Sequence, residues 1–343
     1  MPCGAPGSHL TAEAMRYTRN QAKDYAHQHL KGIWAAAPTV FTADLALDLP
    51  AFARNIQHWI VDLEIDGVFV GGKQGEYFSM LLSERKQLFD IAVATAETLG
   101  RPAGVMLSCS DQNLDATLDL AMHAQAVGAE YIVIHSPALP FGKDIDSTVH
   151  EYYRYISERL DIAIAMWNHP DCGYVMSPQL CARIAGQCPN IVAIKYSVAR
   201  DLYVELTRLT AGTLIVSSAS EEEWLDNIVE LGWQVYLCSV PPILYQTPTD
   251  RRMQQYTRLA MRGDVRAARA VRDSLEPVRR ALRNSRPPGT PHAQQKYWQE
   301  LLGQAGGPVR RPLLNLTATQ RAVIRRAFFE SGLTANPEAG TNT

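Results

Sequence analysis

Residues 162–197 read IAIAMWNHPDCGYVMSPQLCARIAGQCPNIVAIKYS, and this stretch decides the fold. An apolar run, IAIAMW at 162–167, leads through a segment of helical spacing at 177–186 to a second run, IVAIKYS at 191–197. Runs this continuously apolar suit strands covered on both faces, with the helix between them returning the chain to start a parallel neighbour. The unit repeats in both directions. Upstream runs lie at 34–40 (WAAAPTV), 67–72 (GVFVGG), 103–108 (AGVMLS) and 131–136 (YIVIHS); downstream runs lie at 213–218 (TLIVSS) and 234–239 (QVYLCS). Helical periodicity fills 49–63, 83–99, 115–127, 147–160, 200–211 and 220–231. Eight strands alternating with helices predict a (β/α)8 TIM barrel. A doubly wound sheet is the competitor, but it needs a sheet end and a switch point, and the pattern offers neither.

Beyond the last strand, Pro241-Pro242 breaks the run and residues 251–283 are helical and arginine-rich. A linker at 285–291 (SRPPGTP) precedes further helical patterns at 293–302 and 318–330. The reading is therefore an N-terminal arm (1–30), a barrel (31–250), a C-terminal helical segment (251–333) and a disordered tail (334–343). The arginine-rich stretch is expected to face solvent or a neighbouring subunit, with anion binding the alternative.

Composition narrows the function classes. The 343 residues can bury a core without a disulfide or metal staple. Lys and Arg number 33 against 35 Asp and Glu, a net charge of −2, so nucleic acid is not an expected partner. Hydrophobic content of 46% and charged content of 20% exclude a disordered or collagen-like chain. The six cysteines, at 3, 109, 172, 181, 188 and 238, form no C-x-x-C pair and read as buried apolar residues in a reducing compartment. No apolar run approaches the roughly 18 residues of a membrane span, and the first residues lack a signal peptide's apolar centre, so a cytoplasmic location is expected.

Barrel chemistry sits at the C-terminal ends of the strands. There the sequence offers Lys195 inside IVAIKYS, the glycine-rich turn GGKQGEYF at 71–78, and WNHP at 167–170. An ammonium on a buried strand is costly, and a neutral lysine amine is the nucleophile that forms an imine with a ketone or aldehyde. The alternative is a structural lysine paired with a carboxylate such as Glu76. The glycines let backbone amides approach an anion, or else simply make a tight turn. His169 is a candidate for proton transfer near neutral pH. Asp44, Asp48, Asp171 and Glu221–Glu223 stand in turns or at a helix start, and no metal site is expected of them.

At these residues the sequence resembles the dihydrodipicolinate synthase and N-acetylneuraminate lyase family of Schiff-base barrels. The resemblance runs from about Gly32 to Leu333 through Ala36–Phe41 (AAPTVF), the G-x-x-G-E turn at Gly72–Glu76, the aromatic-Asn-x-Pro at Trp167–Pro170 and the I-x-x-I-K strand at Ile191–Lys195. It implies a (β/α)8 TIM barrel with a C-terminal helical extension, no cofactor, and a homotetramer or homodimer. It also implies that Lys195 forms an imine with pyruvate or a related 2-keto acid, through which a carbon–carbon bond forms or breaks.

The departures from the family pattern are as informative. Two hydroxyl residues of the family turn are here Lys73 and Gln74, and the family's proton-shuttling tyrosine is Trp167, which cannot act as an acid or base in this range. Asp171, Cys172 and Gly173 stand where the synthases place an arginine. The expectation is a lyase or aldolase that acts on a 2-keto acid and resembles the hydratase-aldolases, with an aromatic or apolar aldehyde as partner. Lys195 is expected as nucleophile; Gly72, Lys73, Gln74 and Gly75 as the carboxylate cradle, completed by the backbone of Tyr236; Trp167, Tyr77, Phe78 and Leu139 as an apolar wall. Proton transfer falls to His169, Tyr196, His135 or a water. A keto-acid dehydratase using the same imine, and a non-catalytic metabolite-binding barrel, are the alternatives.

Overall fold

The computed structural model describes residues 16–139 and 145–333. Strands β1 (Gly32–Ala36), β2 (Gly67–Val70), β3 (Gly104–Ser108), β4 (Tyr131–Ile134), β5 (Ala163–Asn168), β6 (Ile191–Tyr196), β7 (Ile215–Ser217) and β8 (Val235–Ser239) are all parallel. They pair in the order β7-β6-β5-β4-β3-β2-β1-β8, so the expected barrel forms. At the last seam a side chain replaces the ladder: the Ser217 hydroxyl donates to the Val235 carbonyl at 2.9 Å and accepts from the Leu237 N–H at 2.8 Å. Helices α1 (Ala22–His29), α2 (Leu49–Gln57), α3 (Leu82–Thr98), α4 (Leu114–Ala126), α5 (Asp146–Ser157), α6 (Pro178–Gln187), α7 (Arg200–Thr210) and α8 (Glu221–Leu231) precede or link the strands.

Apolar residues divide into two shells. The outer shell lies between sheet and helices, while Trp34, Phe69, Met106, Tyr131, Val133, Ala165 and Leu237 fill the barrel itself. Trp34 fits because its neighbours are glycines: a Cβ on Gly67 or Gly104 would stand 2.4 or 2.1 Å from the indole. Residues 16–30 close the opposite end from the strand termini that carry chemistry. Ala22, Ala26 and Leu30 continue the interior cluster, Tyr17 accepts from the Ala163 N–H at 2.9 Å, and Gln234 donates to the carbonyls of His27 and Leu30.

After β8 come α9 (Pro241–Leu244), α10 (Arg252–Met261), α11 (Val265–Asp273), α12 (Glu276–Asn284), α13 (His292–Leu301) and α14 (Ala318–Glu330). The arginine-rich stretch is thus three helices. Gly263, at φ +85°, ends α10; Asp264 caps α11 by accepting from the Ala267 N–H; Pro277 opens α12. Four of its arginines meet acids of the barrel, Arg251 and Arg258 at Glu64, Arg269 at Asp226 and Arg279 at Glu221, while Arg262, Arg266 and Arg280 are exposed. The expected tail at 334–343 lies outside the described residues. Cys109, Cys172, Cys181, Cys188 and Cys238 are free and buried, and no described helix is long and apolar enough to cross a membrane.

Candidate active site

Alternation along a strand sends every second side chain inward. On β5 and β6 the register pairs Trp167 with Lys195, and on β6 and β7 it pairs Lys195 with Ser217, so the three share one layer at the C-terminal end of the barrel. Lys195 is 4% exposed. Its Nζ lies 5.5 Å from the Phe69 ring centre and 5.7 Å from that of Trp167. Burial disfavours the ammonium and brings the amine down to about 8 from 10.5; the charge of Lys73 acts in the same direction more weakly. Glu76 does not relieve it. That carboxylate is fully buried and bound at 2.7 Å to Lys296 of α13, and no carboxylate among the described residues pairs with Lys195.

The Lys195 ammonium donates to the Cys238 carbonyl. The backbone of Tyr236 was expected in the carboxylate cradle; the carbonyl that meets the lysine belongs to Cys238, two residues further on. The cause is a β-bulge: Trp34 pairs with Leu237 but Ala35 pairs with Ser239, leaving Cys238 as the extra residue, at φ +77°. A bulge re-aims the backbone, and here it turns a carbonyl toward the lysine. The Tyr236 side chain lies in the outer shell and donates to the Ala219 carbonyl at 2.9 Å. No glycine marks position 238, so the sequence carried no signal for it.

Tyr196 also departs from expectation. Next to an inward lysine it must point outward, and its hydroxyl donates to the Met176 carbonyl among the outer apolar side chains. It has no access to the lysine's layer. His169 lies in the loop after β5, where its Nδ1 accepts from the Asp171 N–H at 3.0 Å, leaving the proton on Nε2. Burial holds its pKa down, and the charges of Lys73 and Lys195 act on it in the same sense, against Asp171.

In the 71–76 turn Lys73 is bound to Asp171. The glycines have steric reasons to be there: a Cβ on Gly72 would meet the Phe69 ring at 2.3 Å, and one on Gly75 the Ala37 carbonyl at 3.1 Å. The Gly75 carbonyl accepts from Thr39, and Glu76 sits at φ +59°. The N–H groups of Lys73, Gln74 and Gly75 find no acceptor among the described residues. The turn is held from behind, because His292 bonds the Lys73 carbonyl at 2.8 Å and Glu76 takes both Lys296 and the Arg310 N–H.

Of the expected wall, Trp167 is buried and its indole N–H has no partner among the described residues, Tyr77 is half-buried, and Phe78 packs edge-on against His292. His135, inward on the continuation of β4, stands edge-on to Trp167 with ring centres 5.3 Å apart, and its Nε2 is 3.1 Å from the Tyr77 hydroxyl. Of the acids considered as metal ligands, Asp48 caps α2, Asp171 holds Lys73, and Glu221 holds Arg279.

The sequence profile of the dihydrodipicolinate synthetase family matches residues 29–329. The 4-hydroxy-tetrahydrodipicolinate synthase of Acidothermus cellulolyticus is 27% identical over 303 residues, covering 88% of this chain and 92% of that protein. The "Probable 5-dehydro-4-deoxyglucarate dehydratase" of Bradyrhizobium sp. is 24% identical over 298 residues, covering 85% of this chain and 90% of its own. The crystal structure of YagE, a prophage protein of the dihydrodipicolinic acid synthase family from E. coli K12 in complex with pyruvate, shares the fold at a TM-score of 0.77. Its identity is 22%, and the match covers 88% of this chain and 99% of that one.

Proposed function

The chain belongs to the dihydrodipicolinate synthetase family of lyases, and from that premise we propose that it cleaves or forms a carbon–carbon bond beside a 2-keto acid through an imine on Lys195. The observation that carries this reading is a buried lysine with no carboxylate partner among the described residues, its pKa brought down to about 8 by burial, at the C-terminal end of the barrel. The neutral amine attacks the keto carbon, and water leaves to give a protonated imine. That imine accepts the electron pair released when the next carbon–carbon bond out, C3–C4, breaks as the C4 hydroxyl gives up its proton, leaving an enamine and an aldehyde.

The unpaired amides of the 73–75 turn suit the keto-acid carboxylate, with Lys73 adding positive charge. The Cys238 carbonyl orients Nζ. Phe69, Trp167 and Tyr77 favour an aromatic or apolar aldehyde over a small polar one. Large apolar side chains on the surface, among them Leu81, Leu314 and Phe329, support a homodimer or homotetramer, which sedimentation measures.

The test is borohydride reduction in the presence of pyruvate, read by intact mass and peptide mapping. A reduced pyruvyl adduct on Lys195, missing in Lys195→Ala, is expected. No adduct with pyruvate or with longer keto acids overturns the reading in favour of a binding barrel. Product analysis then separates two imine reactions: aldehyde plus pyruvate marks a lyase of carbon–carbon bonds, and a dehydrated acid marks the dehydratase.

A further inference from the structure

Cleavage through an imine needs a group that takes a proton from the substrate hydroxyl and later returns one to the enamine carbon. Trp167 cannot do so. Tyr196 faces the outer shell. The Tyr77–His135 couple is differently placed. The Nδ1 of His135 lies 2.8 Å from the Ser136 carbonyl, which can only accept, so Nδ1 carries the proton. Burial, reinforced by the charge of Arg85, lowers the ring's pKa, against the Ser136 carbonyl and, more weakly, Asp111. Its Nε2 lone pair therefore accepts the Tyr77 O–H.

The surroundings bind this couple to the lysine's layer. His135 packs on Trp167, which packs beside Lys195. On the far side the buried Arg85 guanidinium stands 5.4 Å from the Tyr77 ring, held by Asp111 and by the carbonyls of Ser108 and Ser110. Burial, with Cys172 and Asp111 nearby, pushes the Tyr77 hydroxyl above its ordinary pKa, and Arg85 acts against them. Tyr77 is half-buried and directly follows the 71–76 turn, and its hydroxyl reaches His135.

Resting on the imine reading above, we infer that Tyr77 is the catalytic acid–base of the carbon–carbon step and that His135 is its positioning proton acceptor. In cleavage the substrate hydroxyl gives its proton to the Tyr77 oxygen as Tyr77 passes its own to His135 Nε2. The carbon–oxygen bond becomes a carbonyl, the carbon–carbon bond breaks, and its electron pair forms the enamine and neutralises the iminium nitrogen. The proton on His135 returns through Tyr77 to the enamine carbon, restoring the protonated imine of pyruvate. No oxidant or reductant enters.

The experiment compares two readouts on the same proteins: borohydride trapping of pyruvate on Lys195, and deuterium incorporation into the pyruvate methyl group in heavy water. In Tyr77→Phe trapping is expected to stay within about twofold while exchange falls by about 10²–10⁴. His135→Ala is expected to lose exchange similarly and to regain it with added imidazole but not with the far less basic pyrazole, a distinction that refilling a cavity would not produce. His135→Phe preserves volume should the alanine variant fold poorly, and it is expected to trap pyruvate without exchanging it. Normal exchange in Tyr77→Phe with trapping intact overturns this assignment alone. Absence of trapping in the parent protein overturns the imine reading and this inference with it.

Discussion

An ammonium at Lys195 destabilises the fold that holds it. A folded pKa of about 8 against 10.5 corresponds to about 3 kcal/mol, at roughly 1.4 kcal/mol per unit. Because the folded value is depressed, the penalty is fully present below pH 8 and fades as pH rises toward 10.5. Lys195→Met is therefore expected to gain about 3 kcal/mol in urea unfolding at pH 7, and the gain is expected to shrink by pH 10. Equal gains at both pH values would contradict a desolvated amine. The rate of imine formation is expected to climb through pH 8 for the same reason, which a pH series of trapping rates measures. Lys195 was legible in the sequence because a lone cation in an apolar run is conspicuous. Tyr196 was misread as a proton donor because adjacency in sequence is not proximity on a strand, where neighbours face opposite sides. The His135–Tyr77 contact joins residues 58 positions apart, and local pattern does not report such a pairing.

At the scale of elements, two devices complete the barrel where the ladder does not. Ser217 bridges β7 and β8 with one hydroxyl, and Ser217→Ala leaves a buried carbonyl and a buried N–H unpaired. A loss of about 1–3 kcal/mol is expected, seen as a lower urea midpoint with an unchanged slope. The second device ties α13 to the 71–76 turn through Lys296 and Glu76, both buried. Lys296→Met strands a buried carboxylate and is expected to cost about 3–5 kcal/mol. Adding Glu76→Gln is expected to recover part of that, because the remaining amide carries no charge. The strand and helix runs could be read from periodicity, down to the limits of α14. The bulge at Cys238 could not, because a backbone inversion at a non-glycine residue is imposed by the closing barrel rather than by local preference. The division of the arginine-rich stretch had a local signal in Gly263-Asp264, a helix stop followed by a cap.

Over the whole molecule, the barrel is finished by chain segments that the eight repeating units do not include. The C-terminal helices brace the mouth, and α1 seals the floor. Ala26→Asp puts an unpaired carboxylate into that fully buried floor and is expected to release α1, raising amide exchange across residues 22–30 and lowering stability by several kcal/mol, about 3 or more. Pyruvate trapping at Lys195 is expected to survive, since the lysine is at the other end. The arm was visible in the sequence as extra length, but its place was not, because docking a short apolar face depends on a cavity that exists only after the strands have closed. Packing from α1 up to Trp167 also constrains kinetics. A keto acid joined to Lys195 stays held by the imine after the outer fragment has been split from it. The fragment nearer the mouth must depart first and pyruvate last, so pyruvate is expected to inhibit competitively against the cleaved substrate, whereas the aldehyde gives a mixed pattern.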